Sequence, residues 1–133
     1  MILVDTSAWV EYLRGTGSTT HRRLSKLIKE AEPVVTTDVV VMEILAGAEN
    51  EARHHSLRRL LHRFPLLNVG GLVTYEEAAA LYRACRRGGD TPRALTDCLI
   101  AAVAMRESAS VLHADRDFDA IARHSRLRVE SGS

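Results

Sequence analysis

Short apolar runs of β type alternate with longer amphipathic runs along this chain, and that alternation leaves few folds open. Residues 1–4 read as a buried strand. Asp5, Thr6 or Ser7 can cap a helix running through Leu13, which Gly15 stops. Residues 15–20 read as a polar loop, and residues 21–32 as a helix with Leu24, Leu27 and Ile28 on one face, ended by Pro33. A second strand over 34–37 leads to Asp38, a good cap for the helix that carries Glu43. Residues 51–64 form an amphipathic helix and 66–69 a third strand. Thr74 and Glu77 have capping-box spacing for a helix to Arg87. Residues 92–107 are apolar almost all round, hence a central helix. A fourth strand over 110–113, a short helix through Arg123 and a fifth strand over 127–130 complete the pattern. The expectation is an α/β fold: a mainly parallel five-stranded sheet with helices on both faces, in one domain over 1–133. Only the tail 131–133 is expected to be loose.

Composition narrows the class without deciding the function. The chain has 133 residues, 46% hydrophobic and 26% charged, as soluble globular proteins do. A net charge of +1 excludes a polycation, yet sixteen of its 18 basic residues are Arg, the side chain suited to bidentate phosphate contact. Cys85 and Cys98 both fall in helical patterns and form no disulfide framework, which suits a reducing cytosol. No apolar run approaches ~20 residues and no basic leader precedes the first strand, so neither a membrane span nor a signal peptide is expected. The expected location is the cytoplasm.

Four acids lie against apolar runs in four different elements. Asp5 follows Met-Ile-Leu-Val, Glu43 lies within Val-Val-Val-Met-Glu-Ile-Leu, Asp97 precedes Cys-Leu-Ile-Ala-Ala-Val-Ala, and Asp115 follows Val-Leu-His-Ala. A buried carboxylate must be protonated, paired or bound to a metal. Arg116 is the one cation beside these acids in the sequence. In parallel sheets ligands bind beyond the carboxyl ends of strands, where strand order reverses. Asp5 and Asp115 follow predicted strands, Asp97 opens a helix, and Glu43 has only small apolar neighbours on its face. An all-oxygen set selects Mg²⁺ or Mn²⁺ over zinc, and such ions activate water against phosphodiesters. The six histidines show no metal spacing, and His54-His55 reads as surface.

Val4-Asp5-Thr6-Ser7-Ala8, Glu43-Ile44-Leu45-Ala46-Gly47, Asp97-Cys98-Leu99-Ile100-Ala101-Ala102 and His113-Ala114-Asp115-Arg116-Asp117-Phe118 resemble, in order and spacing, the signature of PIN-domain nucleases. The length resembles that of VapC toxins from bacterial VapBC toxin–antitoxin pairs. The resemblance implies a three-layer PIN-like fold and an endoribonuclease, dependent on Mg²⁺ with Mn²⁺ as a substitute, that cuts structured RNA such as tRNA or rRNA. It also implies a homodimer and a cognate VapB-type antitoxin. Asp5, Glu43, Asp97 and Asp115 match the family's four acids, Asp117 matches an auxiliary acid, and Thr6 or Ser7 matches a hydroxyl that orients the first carboxylate.

Singly, most of these residues have plainer readings. Asp5 can be a helix cap, Asp97 a first-turn acid favoured by the helix dipole, and Asp115, Asp117 and Asp119 turn or capping residues. Asp119 is left in that role. Glu43 fits no cap or solvated face. The arginines and lysines of 22–29, 53–63 and 83–87 read as solvated helix faces, some of which should meet RNA phosphates. Trp9 and Tyr12 read as core or dimer contacts. Two other classes place acids similarly. A phosphotransfer receiver-like domain needs a lysine near its last strands, whereas both lysines here, Lys26 and Lys29, lie early. A non-catalytic PIN-like binding module would be signalled by a lost acid, and none is lost.

Overall fold

A computed structural model describes residues 1–130; the tail 131–133, expected to be loose, lies outside the described residues. Five strands alternate with seven helices. They are β1 (Ile2–Val4), α1 (Thr6–Arg14), α2 (Thr19–Lys29), β2 (Val34–Thr37), α3 (Asp38–Ala46), α4 (Glu51–Leu61), β3 (Leu66–Leu67), α5 (Leu72–Arg87), α6 (Leu95–Arg106), β4 (Ser110–Leu112), α7 (Asp117–Arg123) and β5 (Val129–Glu130). All strand pairs are parallel, in the order β3-β2-β1-β4-β5. Ile2 faces Val34 on one side and Ser110 on the other.

This order dictates where the helices lie. Right-handed crossovers from β1 to β2 to β3 place α1–α4 on one face. The chain then returns across the sheet to β4, which puts α5–α7 on the other. Accordingly α1 packs on α2 and α3, and α3 on α4, while α5, α6 and α7 pack on one another. The crossovers diverge between β1 and β4, which makes that boundary the crevice of the sheet.

The core explains why the strands are so apolar. Leu3, Val4, Val111 and Leu112 are fully buried, as are Ile100 and Val103 of α6. Asp97 through Ala104 are buried without interruption, so α6 is the central helix that its all-round apolar pattern predicts. Trp9 is the largest fully buried side chain. Its ring lies 5.4 Å from Phe64 and 5.8 Å from Tyr12, which settles it as core.

Several boundaries differ from the sequence reading, in most cases because a hydrogen bond, local or long-range, decides otherwise. The Ser18 hydroxyl accepts from the His21 N–H, so α2 starts at Thr19 and the loop before it is shorter than 15–20. Asp38 is the first residue of α3 and not its cap; its Oδ1 accepts from the Thr37 hydroxyl and the Val69 N–H. Thr74 and Glu77 form no capping box, because α5 already begins at Leu72 behind Gly71. Instead the Thr74 hydroxyl accepts from Arg106 Nη1. The same guanidinium takes the carbonyls of Asn68 and Val69, which stops β3 at Leu67. The helix α6 starts at Leu95, so 92–94 belong to the connection before it.

Trp9 anchors the helix that follows Asp5. Trp9→Ala should cost about 3–5 kcal/mol in urea unfolding, whereas Trp9→Phe should cost under about 2 kcal/mol, since its indole N–H has no partner to lose. Equal losses for the two would mean that ring volume is not what holds α1.

Candidate metal centre

At the β1–β4 crevice the backbone itself brings two acids together. The Asp5 N–H donates to the carbonyl of Leu112 at the end of β4 (2.9 Å), so Asp5 lies beside the loop that carries Asp115. Asp5 is 3% exposed and caps α1, its Oδ2 accepting from the Ser7 N–H (2.9 Å) and the Ser7 hydroxyl. The Ser7 oxygen in turn accepts from the Ala114 N–H (2.9 Å), which ties the β1–α1 turn to the β4–α7 loop. Thr6 works elsewhere: its hydroxyl donates to Glu43 Oε1 (2.8 Å). Of the two hydroxyls expected to orient the first carboxylate, Ser7 touches it and Thr6 fixes Glu43 instead.

Asp97 arrives from the opposite layer, in the first turn of α6, and is 8% exposed. Asp97, Asp115 and Asp117 each offer an oxygen within 4.8 Å of the others. Asp5, Thr6, Ser7, Glu43, Asp97, Asp115 and Asp117 together line one open depression of about 390 Å³. The structure thus brings together every candidate named from the sequence. Asp119 stands apart and faces His113 (3.3 Å).

Electrostatics marks three of these acids, Asp97, Asp5 and Glu43. Burial, and then the charges of Asp5, Asp115, Asp117 and Glu43, push the Asp97 carboxyl up to about 7. Burial likewise raises Asp5 against the opposing hydrogen bonds of Ser7, and raises Glu43 against that of Thr6. A group of oxygens this close and this poorly neutralised suits a hard divalent cation. The donors are oxygen throughout, which fits Mg²⁺ or Mn²⁺ and not zinc.

Two expectations need correction. The cation beside the acids is not Arg116 but Arg93, whose Nη2 meets Asp115 Oδ1 (2.8 Å) and whose Nε meets Asp117 Oδ2 (3.2 Å). Arg93 was invisible as a partner because 22 and 24 residues separate it from those acids. The histidines do include a metal-like spacing: Glu51, His54 and His55 bring ligand atoms within 4.8 Å of one another. Offsets of three and four residues place them on one face of α4, a periodicity that inspection of adjacent histidines overlooks. Their rings stack edge to face (5.4 Å) on a single turn.

Residues 2–124 match the model of the PIN domain, and the chain belongs to that family. Within it, the chain is 46% identical to ribonuclease VapC11 of Mycobacterium tuberculosis over 132 residues, 98% of each chain. A solved toxin–antitoxin complex from Klebsiella pneumoniae contains a similar chain, with a TM-score of 0.73, 21% identity and coverage of 100% of this chain and 98% of that one. VapC20 of Mycobacterium tuberculosis, described as a sarcin–ricin loop cleaving toxin, has a TM-score of 0.69 at 22% identity, covering 96% and 99%. At those identities the solved structures establish the shared fold.

The raised Asp97 carboxyl has a testable sign. Between the unfolded value near 3.8 and about 7, the folded metal-free protein holds a proton that the unfolded chain releases. That contribution to stability is full at low pH and is lost as pH rises through this window. In EDTA, Asp97→Asn should therefore gain on the wild type as pH rises from 4 to 8. By pH 8 it should be ahead by about 1 kcal/mol, roughly 4 °C in Tm. A difference in Tm that does not change with pH would show that Asp97 ionises freely.

Proposed function

We propose that the chain is a metal-assisted endoribonuclease that hydrolyses phosphodiester bonds in structured RNA, tRNA or rRNA, as the toxin of a toxin–antitoxin pair. The observation that carries this reading is the convergence of Asp5, Glu43, Asp97, Asp115 and Asp117 at one end of the sheet, within a groove flanked by arginines. Thr6 and Glu43 also line a neighbouring depression with Arg14 and Arg53, and Asp117 lines another with Arg93, Arg116 and Arg123. A polyanion crossing the acid cluster would meet cations on both sides.

Asp5, Glu43, Asp97 and Asp115 would hold Mg²⁺, with Mn²⁺ able to replace it, and Asp117 would assist. When bound, the ion would supply an activated water and neutralise charge on the phosphate. The chain's own contribution is positioning. Ser7 orients Asp5, Thr6 orients Glu43, and the first turn of α6 favours a charged Asp97.

The partner would be a VapB-type antitoxin, in keeping with the VapC relatives and the Klebsiella complex. The exposed Met42 and Leu66 near a depression lined by Val41, Leu61 and Phe64 offer it an apolar foothold. A second copy would cover Leu72, Val73 and Tyr75, which expose the first turn of α5 to water at 51–71%. No helix among the described residues is long and apolar enough to cross a membrane, and the cytoplasm is the setting we propose.

Purified protein should cut a bulk tRNA and rRNA mixture with Mg²⁺ or Mn²⁺ and fall silent in EDTA. Asp5→Asn and Asp97→Asn should each lose about 100-fold or more, since a misplaced water costs that much. Ser7→Ala, which leaves every metal-facing carboxylate in place, should lose about 10–100-fold. Undiminished cutting in EDTA would end the metal-assisted reading.

The dimer is checked separately. Wild type should sediment at twice the chain mass, and Val73→Glu should shift it to the monomer; a variant that stays dimeric would place the interface elsewhere.

A further inference from the structure

Residues 88–94 join α5 to α6 and carry Arg93 to the rim of the acid cluster. The Arg93 residue is held at its root by the backbone, and its head meets two carboxylates while staying open to water. Its backbone N–H donates to Asp117 Oδ2 (3.0 Å), a bond any non-proline residue could make. Its Nε donates to the same oxygen (3.2 Å) and its Nη2 to Asp115 Oδ1 (2.8 Å), while the side chain is 64% exposed. The carboxylates are far less exposed (26% for Asp115, 10% for Asp117), so the pairs are open to water, and to exchange, at the guanidinium end.

Arg106 shows what an arginine built for structure looks like in the same protein. It is about half as exposed as Arg93 (33%), and it donates to two carbonyls of the segment before α5 and to the Thr74 hydroxyl within α5, which ties α6 to both. Arg93, in contrast, spends its guanidinium on two of the three carboxylates whose oxygens come within 4.8 Å of one another. It also lines both the acid depression and the adjoining one that holds Arg116 and Arg123. A head released from the acids therefore stays at the edge of the cluster, beside a second depression in which Arg116 and Arg123 stand among Asp90 and Asp119.

We propose that Arg93 is an exchangeable counter-cation, pairing with Asp115 and Asp117 in the metal-free protein and turning to a phosphate of bound RNA once a divalent ion takes their oxygens. The exchange follows from competition for the same oxygens. An ion that takes Asp115 Oδ1 and Asp117 Oδ2 contests the atoms to which the guanidinium donates, and a hard dication binds carboxylate oxygen more strongly than an exposed guanidinium does. The forked N–H donors that fit a carboxylate fit a phosphate equally well. The phosphate half of the proposal rests on the nuclease reading; the metal half does not.

Two titrations test it on the full chain. The first measures Mn²⁺ binding by calorimetry without RNA. Arg93→Gln removes the competitor and should bind Mn²⁺ about two- to fivefold more tightly, with Arg93→Lys between it and the wild type. Equal or weaker binding by Arg93→Gln would make Arg93 a latch that shapes Asp115 and Asp117, and would overturn the proposal. The second measures bulk tRNA binding in Ca²⁺ at several salt concentrations. Arg93→Gln should bind more weakly, its plot of log affinity against log salt shallower by about one, and Arg93→Lys should recover the slope. An unchanged slope would overturn the transfer to phosphate. A wild type that binds Mn²⁺ but not tRNA would sink the nuclease reading, and the calorimetry would still decide the metal half.

Discussion

Like charges crowded at the end of a sheet repel one another, and much of this molecule is arranged to hold them there. The placement of β1 against β4 sets Asp5 beside the loop of Asp115 through a backbone bond to Leu112. Ser7 and Thr6 supply hydroxyls to Asp5 and Glu43, Arg93 supplies a cation to Asp115 and Asp117, and the start of α6 supplies its dipole to Asp97. Each measure is partial. Burial, and then the charge these measures leave unbalanced, still push the Asp97 carboxyl up to about 7. An oxygen cluster in this condition suits a divalent cation, whose charge would offset the repulsion.

The surroundings of the acids then make sense as a matter of sign. A cluster of carboxylates alone would repel a nucleic acid. The depressions on its two flanks set arginines among acids in equal number, Arg14 and Arg53 with Glu43 and Glu49 on one side, and Arg93, Arg116 and Arg123 with Asp90, Asp117 and Asp119 on the other. Cations thus stand within reach of the cluster in a chain whose net charge is only +1.

Much of the fold could be read from the sequence, because periodicity reports burial. Strands of three or four apolar residues, α6 with apolar residues all round, and the acids at strand ends all carry that signal. The errors occurred where one distant side chain took the backbone's hydrogen bonds. Arg106 ended β3 and claimed Thr74, and Asp38 reached Val69, contacts spanning 31 to 37 residues. The same limit hid Arg93, whose partners lie 22 and 24 residues ahead, and left Thr6 and Ser7 undivided until Glu43 was placed. The acids were legible because each violates its own neighbourhood. The cations were not, because an arginine on a loop violates nothing.

The Ser7 hydroxyl gives to Asp5 and takes from Ala114, so one oxygen joins loops more than a hundred residues apart. Such a joint works as a pin between the two halves of the sheet. A displacement of the β4–α7 loop pulls on the same oxygen that steadies Asp5, so the carboxylate at the end of β1 registers movement in a segment that the chain reaches only near its far end.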